Sequence, residues 1–267
     1  MKNLFLLALG LILFTSSTLT AQTTVTVGTT SGADVEILEK AKEVALKDGL
    51  EVKIIEFGDY RQVNEALVNK ELDLNAFQHQ PYLDDYNKEN GTNLVSLGST
   101  YISPLGFYSR KIKKLDELKN GDTVAIPNDP TNGGRALLLL QKAGAIKLKT
   151  GVGLTATPYD IVDNPKSLVI LEVDAAQTPR TLEDVAAAAI NNTFSIPAGL
   201  NPVKDSIYLE SVDSPYVNVI ASRLEDKNNQ VFLKFVKAYQ SQEVADFIYD
   251  NYEYSTIPAF PHKRKDK

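Results

Sequence analysis

An α/β fold with two lobes is predicted by three features of this sequence. Short runs rich in β-branched residues alternate with stretches of helical periodicity, which implies parallel sheets with helices on both faces. The alternation restarts after "SPLGFYSRKIKKLDELKNGD" (103–122), giving two α/β units. No Gly/Ser-rich linker separates them, and 267 residues suffice for two medium cores, so strand-like crossovers are expected to join the units.

The first unit opens with "TTVTVGTT" (23–30) as a strand. In "DVEILEKAKEVALKDG" (34–49), Ile37, Leu38, Ala41, Val44 and Ala45 share one helical face, and Gly49 is a stop. "EVKIIEF" (51–57) is the second strand; Asp59 can cap a helix through "YRQVNEALVNKE" (60–71). "LDLNAF" (72–77) is the third strand, and Pro81 opens a helix running out near "NKENG". Between them, "DLNAFQHQPYLDDY" reads as a loop that gathers Phe77, His79, Tyr82 and Tyr86. "NLVSLGSTYI" (93–102) is the fourth strand.

In the second unit, "TVAIP" (123–127) is a buried strand, followed by the turn and helix of "NDPTNGGRALLLLQKAG" up to Gly144. "SLVILEV" and "DVAAAAINNTF" continue it, and "YVNVIASR" is a further apolar strand. One last helical stretch is expected from Asn228 to Asn251, with Val231, Phe232, Phe235, Val236 and Tyr239 at helical spacing.

Formal charge is −6, which argues against nucleic acid or an anionic membrane surface as a main partner, since both need a basic face. The basic run His262 to Lys265 is too short to alter that and reads as a frayed tail. "MKNLFLLALGLILFTSSTLTAQ" carries one early lysine, an apolar run from Leu4 to Phe14 and small residues ending at Ala21, the pattern of a secretory signal over residues 1–21. The apolar run is about half of the ~20 residues a membrane-spanning helix needs. The chain has no cysteine, which removes thiol nucleophiles, thiolate metal sites and redox pairs.

In open α/β sheets, ligands bind beyond the carboxyl ends of the strands. Sorted that way, Tyr60, Phe77, His79 and Tyr82 form an aromatic group from the first unit, and Arg135, Asn191 and Asn218 a polar group mostly from the second. An apolar wall with a few convergent polar groups is the usual small-molecule site. In "NDPTNGGR", Gly133 and Gly134 at a helix start, with Arg135 after them, suit an anion; a plain helix-initiating turn explains the same residues. His79 has only His262 as a fellow, so a multi-histidine metal site is not expected. A secreted hydrolase is the remote alternative, weakened because no Gly-x-Ser-x-Gly occurs.

"FGDYRQVNEAL", "DLNAFQHQPYLDDY", "VAIPNDPTNGGRALLLLQKAGAIKLK", "DNPKSLVILEVDAAQTPR" and "SPYVNVI" together resemble the NlpA/MetQ family of methionine-binding proteins of ABC importers, from about Val25 to Tyr239. The resemblance implies a type II periplasmic-binding-protein fold closing on a free amino acid, with no enzyme activity and no cofactor. It divides the chain into lobe one (22–103 plus about 222–267) and lobe two (about 104–221). It implies that Tyr60, Phe77, His79 and Tyr82 enclose the ligand side chain, that Arg135 holds its carboxylate, and that Asn191 (with Asn192 beside it) and Asn218 bind the ligand. Polarisable thioethers favour such rings, with contacts of roughly 0.3–1.5 kcal/mol. The implied cargo is methionine, with the choice between the L- and D-forms left open; another apolar amino acid or a small methionine-containing peptide is the alternative. The implied partners are the importer's permease and ATPase, with the binding protein a monomer. The family commonly carries a lipobox cysteine after the signal, and "TLTAQTT" has none. A soluble, unanchored extracytoplasmic protein starting near Gln22 is therefore expected. "AINNTFSIPAGLNP" also departs from the family wording through Pro197, which reshapes the wall near Asn191.

Overall fold

The computed structural model describes residues 23–253 and 255–263. The signal sequence expected over residues 1–21 and the last four residues lie outside them. The first unit runs β1 (Thr23–Thr30), α1 (Ala33–Lys47), β2 (Leu50–Phe57), α2 (Tyr60–Val68), β3 (Leu74–His79), α3 (Gln80–Asn90) and β4 (Val95–Ile102). The second contains β5 (Gly106–Tyr108), β6 (Thr123–Pro127), α4 (Pro130–Lys142), β7 (Lys147–Leu148), β8 (Ile161–Asp163), β9 (Val169–Val173), β10 (Ala187–Ile190), α5 (Asn192–Ser195), α6 (Pro202–Asp205) and β11 (Tyr208–Leu209). The chain then returns through β12 (Val217–Ser222), α7 (Gln230–Tyr239), α8 (Gln242–Tyr252) and β13 (Ile257–Pro258).

Two sheets carry the two lobes of a type II periplasmic-binding-protein fold. One has the order β13-β4-β12-β3-β1-β2, the other β11-β5-β10-β6-β9. Neither is purely parallel, contrary to the expectation. β1 pairs β2 and β3 in parallel, but β12 runs antiparallel between β3 and β4. In the second sheet β6 is parallel to β9 and β10, whereas β5 is antiparallel to β10 and β11. Helices do cover both faces. On the first sheet, α1, α7 and α8 bury Ile37, Leu38, Phe235 and Ile248 on one side, and α2 and α3 bury Val63, Leu67 and Leu83 on the other.

Local chemistry fixes the elements around the cleft. The Asp59 carboxylate accepts from the Arg61 and Gln62 amides at 2.9 and 3.2 Å and starts α2 as expected. The stretch expected as a loop is instead a strand and a helix, with Phe77 and His79 on β3 and Tyr82 and Tyr86 on α3. His79 itself caps α3, its Nδ1 accepting from the Tyr82 amide at 3.1 Å. Buried polar residues carry β3 beyond Phe77: Gln78 and Asn75 hydrogen-bond Asn64 of α2 at 2.7 to 2.8 Å and one another at 2.9 Å. The single helix expected from 228 to 251 is two. Ser241 interrupts it and caps α8, accepting from the Val244 amide at 3.3 Å. His262 is engaged by the Tyr249 hydroxyl at 2.9 Å rather than frayed.

Candidate functional site

All seven residues singled out in the sequence line one cavity between the sheets. Asp34, Gln78, Ser103, Asn132, Asn192 and Thr193 complete its lining. Three consecutive residues, Phe77, Gln78 and His79, all reach it, which strict strand alternation forbids. A bulge removes the conflict. β12 pairs Val219 with Gln78 and Ile220 with Ala76, so Phe77 has no cross-strand partner there. Bulges re-aim side chains in this way beside functional sites.

The aromatic side of the cavity is a ring cluster centred on Tyr60. Its ring lies 5.8 Å from Phe77, 5.9 Å from Tyr82 and 5.1 Å from Phe194 of the second lobe. Phe77 and Tyr82 meet edge to face at 6.0 Å. Burial holds the Tyr60 and Tyr82 hydroxyls protonated, well above the usual tyrosine range. Tyr60 and Tyr82 also line an outer cleft on their other side.

A polar chain crosses the cleft. Because His79 Nδ1 accepts from a backbone amide, Nε2 carries the proton and donates to Asn132 Oδ1 at 3.1 Å. Burial, then the charge of Arg135, pushes the His79 pKa down to about 3, so the ring is neutral. Asn191 Nδ2 donates to the same Asn132 oxygen at 2.8 Å, and Asn132 Nδ2 donates to Asp129 at 3.0 and 3.1 Å. Asn191 Oδ1 is left buried without a partner among the described residues. Asn192, also in the lining, donates through Nδ2 to the Ser255 carbonyl at 2.8 Å, and its Oδ1 is likewise buried without a partner among the described residues. Asn218 stands opposite His79 in the β3–β12 register, and its side chain hydrogen-bonds the Tyr101 hydroxyl.

Arg135 is 3% exposed and already has a protein partner that the sequence did not reveal. Its Nε donates to both carboxylate oxygens of Glu210 at 3.1 Å, and Nη2 donates to Glu210 and, at 2.9 Å, to the Ser103 carbonyl. The guanidinium also stacks 4.3 Å from the Tyr216 ring. Nη1 makes no hydrogen bond among the described residues, so a donor edge remains for an anion. The two glycines before it serve packing. A Cβ on Gly134 falls 2.4 Å from the Leu154 carbonyl oxygen, and one on Gly133 falls 2.7 Å from that of Pro127.

Sequence reasoning missed Asp34, Gln78, Ser103, Asn132 and Thr193 of the lining, and Tyr216, Phe194 and Glu210 around it. Asn132 lies inside "PTNGGR" and Tyr216 inside "SPYVNVI", both close to residues that the sequence does single out. Phe194 follows Asn191 and Asn192 in "INNTF", whereas Glu210 comes from a segment whose sequence carries no mark of the site. A neutral imidazole, a half-spent guanidinium, an unpaired amide oxygen and a ring enclosure together suit a small ligand with an anionic end and a polarisable apolar side chain.

The profile of the NlpA lipoprotein family matches residues 25–260. The D-methionine-binding lipoprotein MetQ of Salmonella typhimurium is 54% identical over 221 residues, 82% of each chain. That of Escherichia coli K12 is 52% identical over 221 residues, again 82% of each chain. A nutrient-binding protein from Burkholderia cenocepacia, solved bound to methionine, superposes with a TM-score of 0.87 at 52% identity. The superposition covers 88% of this chain and all of that one. These findings correct one expectation. The missing cysteine pointed to an unanchored protein, whereas the family is described as lipoproteins and the relatives are named so. The expectation rested on the lack of one residue type near a segment that lies outside the described residues.

Proposed function

The chain belongs to the NlpA lipoprotein family, and from that premise we propose that it is the extracytoplasmic substrate-binding component of an ABC-type importer, taking methionine into the cleft between its lobes. The single observation that carries the reading is the convergence of both halves of a methionine site on one cavity. Tyr60, Phe77, His79 and Tyr82 form its apolar side, and Arg135, Asn191 and Asn218 its polar side. The thioether packs against ring edges and faces. The carboxylate meets the remaining edge of Arg135, and Asn191 and Asn218 take the rest of the head group.

The cavity acts by binding rather than by turnover. Its one histidine has both ring nitrogens engaged and a pKa near 3, which makes it a poor general base at neutral pH. The second lobe boundary moves from the expected 221 to before β12, because β12 pairs with β3 and β4; Ile102 to Gly106 then forms one crossover and Leu209 to Val217 the other. Delivery to a permease and its ATPase completes the function. The test is mass spectrometry of the small molecule released when the purified protein is denatured. Methionine is the expected cargo; a different amino acid or a methionine-containing peptide overturns the assignment of ligand.

A further inference from the structure

A buried zwitterion needs a partner for each of its charges, and the seven residues read from the sequence supply only a cation. The structure adds one carboxylate to the cavity. Asp34 lies in the first turn of α1, just after Gly32, whose φ of 72° turns the chain out of β1. It is 3% exposed and the only acidic residue lining the cavity among the described residues. Its present partners are three neutral hydroxyls. Thr30 and Thr193 donate to Oδ2 at 2.5 and 3.0 Å, and Tyr101 donates to Oδ1. An ionised carboxylate offers about four acceptor positions, so one is unspent. Two further residues of the same lining hold unspent acceptors, the buried and unpartnered Asn191 Oδ1 and Asn192 Oδ1.

Resting on the amino-acid-binding reading above, we infer that Asp34 is the counter-charge for the ligand's α-ammonium, with Asn191 Oδ1 accepting a second N–H, so that the cavity selects zwitterionic α-amino acids over their des-amino analogues. Arg135 and Asp34 then form a two-ended clamp, with selection by side chain left to the rings. Burial raises Asp34 to about 6 in the empty site. An arriving ammonium favours its ionised form and expels the proton. The groups facing it from neighbouring elements are Thr30 of β1, Tyr60 of α2, Tyr101 of β4, Thr193 of α5, Tyr239 of α7 and Tyr252 of α8. The four tyrosines are all raised above their ordinary value, so none of them titrates near pH 6.

The experiment is calorimetric titration of the whole protein, emptied by unfolding and refolding, with L-methionine and with 4-(methylthio)butanoate, which keeps the thioether and carboxylate but lacks the amine. Asp34→Asn is expected to weaken methionine about a hundredfold or more at pH 7.5 and the des-amino acid less than about threefold. Wild-type affinity for methionine should fall roughly tenfold between pH 7.5 and pH 5, and that of the variant should stay flat. Wild-type titrations in two buffers of different ionisation heat need no variant. They should show about half a proton released per methionine at pH 6 and almost none at pH 8. Equal weakening of both ligands in Asp34→Asn, or no proton release at pH 6, overturns the inference and leaves Asp34 as a structural link between the lobes. Failure of wild-type protein to bind methionine at all removes the parent reading instead.

Discussion

Arg135 and Glu210 form a buried ion pair between residues 75 apart in sequence, with the guanidinium 3% and the carboxylate 10% exposed. The pair orients the fork through Nε and Nη2 and leaves its other edge at the cavity. Stability and binding therefore draw on different faces of one side chain.

Arg135→Ala strands the Glu210 carboxylate in the interior, which costs on the order of 3–5 kcal/mol in urea unfolding. It should also cost two decades or more in affinity for every amino-acid ligand, since the carboxylate loses its partner. The double variant Arg135→Met with Glu210→Gln removes both charges and should recover most of the stability but none of the affinity. Binding that survives Arg135→Ala shows that the ligand carboxylate sits elsewhere.

Phe77→Ala tests the ring enclosure. The side chain is 4% exposed and unpaired across the strand, so truncation opens a hole on the ligand side of β3. Methionine should lose more affinity than alanine or serine, whose side chains barely reach the rings. Equal losses in calorimetric titration assign Phe77 to holding the fold.

His79 governs part of the acid response. Its pKa is about 3 in the folded protein and 6.5 as a free side chain, so the unfolded chain binds the extra proton first as pH falls. The stability it supports is complete above pH 6.5 and is lost progressively toward pH 3. The loss is roughly 3 kcal/mol between pH 7 and pH 4. Asp34 acts in the opposite sense: its penalty for burial as an anion is full above about pH 6 and is relieved as pH drops. The check is therefore a difference, with urea midpoints for His79→Gln declining less than wild type over that range. Parallel declines show that the imidazole is not the group responsible.

Gly134→Ala should destabilise the second lobe although alanine is the better helix former by about 1 kcal/mol. Its Cβ meets backbone atoms, Leu154 O at 2.4 Å and Ala156 N at 2.8 Å, which cannot rotate away as a flexible side chain could. Thermal unfolding should show a net loss of roughly 1–3 kcal/mol. A rise in midpoint means the 154–156 segment yields freely.

Local chemistry made much of this readable. The face of α1, the Asp59 cap and the strand before "NDPTNGGR" follow from periodicity and capping, and Arg135 from its side chain and turn. What stayed hidden is set by partners in space. Gln78 and His79 look like loop residues because they are polar, yet Asn64 and Asn132 satisfy them inside the protein. Glu210 has nothing in its surroundings to mark it until α4 is packed opposite. No Gly or Pro separates α7 from α8; the break is the Ser241 cap and a turn of the apolar face from Phe232, Phe235 and Tyr239 to Val244, Ala245 and Ile248. The antiparallel return of β12 depends on the path of the whole second lobe and leaves no trace in strand composition.

That return has a consequence for assembly. β3 and β4 touch only through β12, which the chain does not supply until residues 217–222. The second sheet, by contrast, draws every strand from the interval 106–209. Its pairings close shorter loops, and shorter loops form first. The order this imposes is inside-out: the inserted lobe organises early and brings Ile102 and Val217, partners across β4 and β12, within reach of one another. The N-terminal segment then gains its central strand last, so a chain stopped before Val217 is left with two unpaired sheet edges, one of them the β3 edge that carries Phe77 and His79.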